Sequence, residues 1–238
     1  MRLDKWLNDL KICSRRESGK YIKQHRIVVN DVVMTNGKQH ISPETDTITI
    51  DGEARRSYER DLYYIMHKPA GVVTATTDRM HETVIDLIAD EDNRKDLFPV
   101  GRLDKDTEGL LVITNDGPLA HRLLSPKKHI EKVYYAQIDG EVTAADVKTF
   151  EEGVVINEEF TAQPAKLNVL TSGEGVSEVE ITVYEGKFHQ VKRMFIAVEK
   201  EVTYLKRIKM GGFDLPADLE LGEYRHLTAE EMDQLEGK

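Results

Sequence analysis

Cysteine is all but absent: Cys13 is the only one in 238 residues. A lone thiol closes no internal disulfide and offers no pair for a zinc site, so a reducing compartment is expected, with Cys13 a small buried hydrophobe. Long apolar runs are missing too. Nothing approaches the roughly eighteen apolar residues that span a membrane, and Met1-Arg2-Leu3-Asp4-Lys5 is too charged to lead a signal peptide's apolar region. A soluble, cytoplasmic protein with no membrane partner is expected. The chain also lacks a Gly-x-x-x-x-Gly-Lys-[Ser/Thr] phosphate loop, a dinucleotide fingerprint and His/Cys spacing suited to a metal, and its eight histidines are scattered. Neither a cofactor nor a metal is expected.

Positive charge is in deficit overall, with a net charge of −10, which at first argues against a nucleic-acid partner. The distribution argues otherwise. Residues 1–38 hold nine Lys/Arg against four Asp/Glu, a balance of +5, and the remaining 24 against 39 leave −15 for the rest. A basic arm on an acidic body fits that asymmetry.

What is present divides in two. Leu3, Trp6, Leu7 and Leu10 form an amphipathic helical stripe, and Ser14-Arg15-Arg16-Glu17 has the form of a capping box for a second helix to about Gln24. That helix sets Arg16, Lys20 and Lys23 on one face. Ile27-Val28-Val29, Asn30-Asp31 and Val32-Val33-Met34 read as a tight hairpin, closed by a strand over residues 46–50. Residues 51–60, charged and nearly free of apolar side chains, read as a linker. Beyond it come β-prone runs at 62–66, 163–170, 176–183 and 202–208. Helices are expected at 83–88, 118–124 and 142–153.

The second part is organised around residues 101–117. Asp104 sits in a polar, glycine-punctuated loop between the apolar runs Leu97-Phe98-Pro99-Val100 and Leu110-Leu111-Val112-Ile113, both read as buried strands. Loops mounted on a buried sheet are where reactive groups tend to sit. Taken alone, an Asp in such a loop is more often a turn residue bonded to its own backbone.

The longer pattern shifts the balance. Gly101-Arg102-Leu103-Asp104, with Thr107, Gly109-Leu110-Leu111 and Thr114-Asn115-Asp116-Gly117, resembles the active-site motif of the pseudouridine synthases of the RsuA/RluA superfamily. Glu131-Lys132-Val133-Tyr134 resembles that family's second motif, and Gly186-Lys187-Phe188-His189-Gln190-Val191-Lys192-Arg193-Met194-Phe195 its third. His67-Lys68-Pro69-Ala70-Gly71 departs from the usual Asn-Lys-Pro-x-Gly at His67, for which no role is inferred. Residues 1–50, with Arg2-Leu3-Asp4 and Ser14-Arg15, resemble the S4 RNA-binding domain.

The resemblance implies an α+β protein: an S4 domain at 1–50, two helices plus short strands, a linker at 51–60, and a mixed, largely antiparallel catalytic sheet at 61–238. It implies Asp104 as catalytic carboxylate, Tyr134 as the aromatic that stacks on the target base, and Lys192 as the basic partner that keeps Asp104 ionised. Arg102 would fill the gap left by a flipped uridine, and Arg2, Arg15, Arg16, Lys20 and Arg26 would contact phosphates and position the RNA. Isomerising uridine to pseudouridine moves a base from N1 to C5 linkage without oxidation, which demands no cofactor. An S4 arm on a chain of this length, with the second and third motifs as they stand, looks most like the small-subunit branch, acting as a monomer on 16S rRNA or an assembling small ribosomal subunit. The competing readings are a 23S rRNA synthase, a non-catalytic S4 assembly factor, and an S4-type stress protein, which leaves three quarters of the chain unexplained.

Overall fold

The computed structural model describes residues 1–10, 12–14, 16–54, 61–125 and 128–237. The chain forms two compact units, Met1–Leu62 with Ile88–Leu97, and Tyr63–Leu87 with Phe98–Lys238.

In the first unit α1 (Leu3–Asp9) buries Leu3, Trp6 and Leu7, and Leu10 packs half-buried on the same core. The Ser14–Glu17 box is formed: Glu17 N–H donates to the Ser14 hydroxyl at 3.2 Å, and Ser14 N–H to the Glu17 carboxylate at 2.9 Å. Regular helix starts later than the box, as α2 (Ser18–Lys23). β1 (Ile27–Val29) and β2 (Val32–Val33) make the hairpin, with Asn30 and Asp31 both at positive φ, the pair that a type I′ turn requires. β3 (Ile48–Ile50) pairs with β1, and β4 (Glu53–Ala54) pairs with β3, so part of the expected linker is strand. The rest of it, residues 55–60, lies outside the described residues. Alternating buried positions on β1 and β3 close a core with Cys13, Ile22, Met34 and Ile41.

The second unit is a mixed sheet with helices. β5 (Tyr63–Lys68) runs two residues past the expected end and stops only at Pro69, which cannot donate to a ladder. It pairs with β7 (Glu108–Thr114), which also carries the short β6 (Phe98–Pro99). Residues 83–88 form a turn, not the expected helix, because the Asp86 carboxylate accepts from both the Thr83 N–H and hydroxyl at 2.8 Å and closes the chain locally. α3 (Gly117–Leu124) is capped by Asp116, with Pro118 in its first turn.

Then follow β8 (Lys132–Asp139), α4 (Ala144–Glu152) behind a Thr143–Asp146 capping box, and the two-stranded β9 (Val155–Asn157) and β10 (Phe160–Thr161). β11 (Lys166–Gly173), β12 (Val176–Val183), α5 (Gln190–Ala197), β13 (Glu201–Met210), β14 (Phe213–Asp214), β15 (Tyr224–His226) and α6 (Ala229–Glu236) complete it. The strand order is β11-β12-β8-β13-β7-β5-β15. Among the described residues every pairing between these strands is antiparallel except β13 with β7, and an isolated bridge, Val73 with Thr83, is also parallel.

That parallel junction sits beside the loop of Asp104, and it depends on Gly109. Gly109 has φ +108° and lies opposite Arg207; an added Cβ would fall 2.2 Å from the Arg207 carbonyl oxygen. No side chain fits there. Gly109→Ala should cost on the order of 3 kcal/mol or more, read as a lower denaturation midpoint in urea. An unchanged midpoint would show that the two strands can separate there without loss.

Candidate active site

Asp104 rides on the loop between β6 and β7, and that loop is fastened from below by a buried amine. Lys68, with no exposed surface, donates from Nζ to the carbonyls of Pro69 at 2.9 Å, Lys105 at 3.3 Å and Thr107 at 2.9 Å. Burial pushes its pKa down to about 8, against the pull of Asp106, Glu108 and Asp104. Thr74 adds a reciprocal pair, its hydroxyl donating to the Leu103 carbonyl at 2.8 Å and accepting from the Leu103 N–H at 3.2 Å. Gly71 N–H reaches the Lys105 carbonyl at 2.7 Å. The backbone on both sides of Asp104 is thereby fixed.

Over this loop stands the first turn of α5. Lys192 Nζ lies 3.4 Å from Asp104 Oδ2 and donates to Asp106 Oδ1 at 2.6 Å. One ammonium thus serves two carboxylates and sits nearer the second. Burial alone would raise the Asp106 carboxyl, yet the ammonium beside it holds it below the usual range. His189, the left-handed residue at the head of α5, brings Nε2 to 3.5 Å from Asp104 Oδ1 and stacks on Phe188 at 3.8 Å between centroids. His189 belongs to the third motif, whose resemblance implies no role for it. Its i, i+3 spacing to Lys192 was the available signal, because that spacing puts both on one face. The segment before α5 is pinned by Gln190, whose amide donates to Glu185 at 2.8 Å and accepts from Lys187 N–H at 2.9 Å.

The floor is sheet. Tyr134 on β8 is nearly buried, with Arg207 of β13 as its cross-strand neighbour. Asp104, Tyr134, Lys192 and Arg102 all line one cavity of about 410 Å³, with Arg102 exposed at its rim. The four catalytic-unit residues singled out from the sequence therefore meet. Arg2, Arg16, Lys20 and Arg26 belong to the other unit, and Arg15 lies outside the described residues. Arg16 and Lys20 are exposed, whereas Arg2 pairs with Asp4, and Arg26 pairs with Asp51 and stacks over Tyr21. His67 is buried on β5 with Nδ1 2.7 Å from the Leu219 carbonyl oxygen, away from the cavity lining. Among the described residues no cluster of His, Cys, Asp and Glu is placed to hold a metal ion.

A carboxylate on a fixed loop, facing a basic side chain above an aromatic floor, can act as nucleophile or base on a planar ring held against that floor. Residues 62–197, which carry Asp104, Tyr134 and Lys192, match the family model described as RNA pseudouridylate synthase, and residues 1–48 match the S4 domain. The chain belongs to the RNA pseudouridylate synthases: it is an isomerase with an S4 domain at its N-terminus. Among its relatives is an uncharacterized RNA pseudouridine synthase, YtzG of Bacillus subtilis, 44% identical over 98% of this chain and 97% of the relative. The ribosomal small subunit pseudouridine synthase A of Escherichia coli is 39% identical over 98% of each. A crystal structure of a pseudouridylate synthase superposes with a TM-score of 0.69 at 34% identity, covering 99% of both chains.

Lys192 as a shared cation makes a testable pair. Lys192→Met should slow turnover by at least about 100-fold, the scale for removing one charged partner from a reacting centre. Lys192→Arg should keep part of the rate. Single-turnover kinetics separate the two, and equal rates for both variants would remove the cation from the account.

Proposed function

We propose that this protein is a ribosomal RNA pseudouridine synthase that converts one uridine of 16S rRNA to pseudouridine with Asp104 as the catalytic carboxylate. The observation that carries the proposal is the meeting of Asp104, Tyr134 and Lys192 in one cavity, in a chain aligned end to end with a ribosomal small subunit pseudouridine synthase. The target uridine leaves its stack and enters the cavity, a step that costs a few kcal/mol. Arg102, exposed at the rim, fills the space left behind. Tyr134 stacks on the base, and Asp104, beside Lys192, meets the ribose.

The S4 unit supplies sequence-independent grip. Arg2, Arg15, Arg16, Lys20 and Arg26 contact phosphates and set the register of the RNA on the protein. Arg16 and Lys20, both exposed, give stronger such contacts than Arg2 and Arg26, which already pair with Asp4 and Asp51. The substrate is the RNA itself or the assembling small subunit, and the protein works as a cytoplasmic monomer.

Pseudouridine mapping by carbodiimide adduct and primer extension tests this in cells lacking the protein. One 16S site should vanish, return with the wild-type chain and stay absent with Asp104→Asn. Loss of a 23S site instead would reassign the substrate, and an unchanged pattern would contradict the proposal.

A further inference from the structure

The floor of the cavity holds two buried cations apart from the Lys192–Asp104 pair. Lys132 and Arg207 are 6% and 2% exposed, and both line the cavity with Asp104. Lys132 shares the buried face of β8 with Tyr134, two residues on, and Arg207 lies opposite Tyr134 on β13. Among the described residues each side chain has a single hydrogen bond, to a carbonyl: Lys132 Nζ to Ile130 at 2.9 Å and Arg207 Nε to Leu110 at 2.7 Å. Among the described residues neither has a carboxylate partner.

Two buried cations without a counter-ion are an unfavourable arrangement. The Lys132 ammonium registers it: burial, and then the charge of Arg207, bring its pKa down to about 8. Among the described residues Arg207 Nη2 is buried without a hydrogen-bond partner, and so is the hydroxyl of Thr107, which also lines the cavity. Donor capacity and positive charge are thus held at the floor beyond what the two carbonyls receive, with no carboxylate paired to either cation among the described residues. An anion that enters the cavity completes the set.

We propose that Lys132 and Arg207 form a cradle for the negative charge that the pyrimidine ring acquires when it is detached from the ribose. This deepens the function proposed above and rests on it. The C1′–N1 bond breaks with its electron pair leaving on the ring, whose charge then spreads over N1, O2 and O4. C1′, left electron-poor, is met by the Asp104 carboxylate. The ring turns, and C5 forms the new bond to C1′, releasing Asp104. The C5 hydrogen departs as a proton and N1 takes one up, so the sum is an isomerisation. Through this interval the free ring is an anion that must neither escape nor be quenched early. Fixed donors in a water-poor site are strongest against charge that develops during reaction.

A backbone phosphate would also be an anion. The buried position favours the ring: phosphates flank the nucleotide on both sides and stay hydrated along the RNA path, whereas a flipped base penetrates deepest. Arg207 is only 2% exposed, so a group that meets it must reach the bottom of the cavity.

The test uses purified full-length protein and substrate RNA under single-turnover conditions. Lys132→Gln and Arg207→Lys should each slow loss of the N1 linkage by about 100-fold to 1,000-fold, with RNA affinity unchanged. On RNA carrying 5-fluorouridine the defect should shrink, because fluorine itself eases negative charge on the ring. Equal defects on both RNAs, or a loss confined to RNA affinity, would overturn the cradle. A measurement on the unaltered protein guards against variants that fold poorly. Barbiturate, a pyrimidine that is anionic at neutral pH, should bind about tenfold or more tighter than neutral uracil, the scale of a charge-assisted hydrogen bond. Uracil binding as tightly as barbiturate, or phosphate displacing barbiturate from elsewhere in the cavity without competing for this floor, would overturn it. The barbiturate result stands whichever RNA is the substrate, so its failure is distinguishable from failure of the function proposed above, which would appear as no turnover by the unaltered protein.

Discussion

The buried ammonium of Lys68, gathered on the carbonyls of residues 69, 105 and 107, is the interaction on which the site depends. A polar loop over a sheet would ordinarily be mobile, and a carboxylate carried on it would have no defined position. Here a charged donor in a dry environment binds three acceptors, each bond strengthened by the low local dielectric. The bonds join the end of β5 to the start of β7, strands already paired over six positions. The sheet's rigidity is passed to Asp104 through main chain rather than through side chains.

Around that fixed point the electrostatics are arranged in layers. Above Asp104 are Lys192 and His189, from one turn of α5; below are the buried cations of β8 and β13. A chain whose net charge is −10 thus concentrates positive charge where an RNA nucleotide must enter. Net charge speaks to solubility and encounter, while the local field decides what the site will hold. The acidic body and the nucleic-acid substrate are therefore compatible.

Much of this was legible along the chain because it is local. The Leu3-Trp6-Leu7 stripe, the Asn30-Asp31 turn, the Pro118 helix start and the alternation of β12 each depend on residues within a few positions of one another. The Asp104 loop was legible through its glycines and its long motif. What escaped depends on register across the sheet. Arg207 joins the cavity only because β13 lies between β8 and β7, a parallel pairing that no local pattern announces. Lys68 reads as part of a turn until the strand is seen to carry it inward, fully buried. The 83–88 segment reads as a short helix, but four of its six residues are β-branched, and Asp86 turns back on Thr83 so that the chain closes there. Lys192 is expected from the motif as the partner of Asp104; Asp106, two residues on, competes for the same ammonium because a lysine has no fork with which to hold one partner exclusively.

The measurement that bears most directly on the account is release of tritium from C5 of uridine in small-subunit RNA by the purified protein, since that hydrogen is displaced only when C5 takes the new bond. The account predicts one tritium released per RNA by the wild-type chain, none by Asp104→Asn, and a rate far below wild type for Lys68→Met with its melting temperature and RNA binding largely kept. Wild-type release by Asp104→Asn would contradict the role of the carboxylate, and wild-type release by Lys68→Met would contradict the claim that the buried ammonium sets its position.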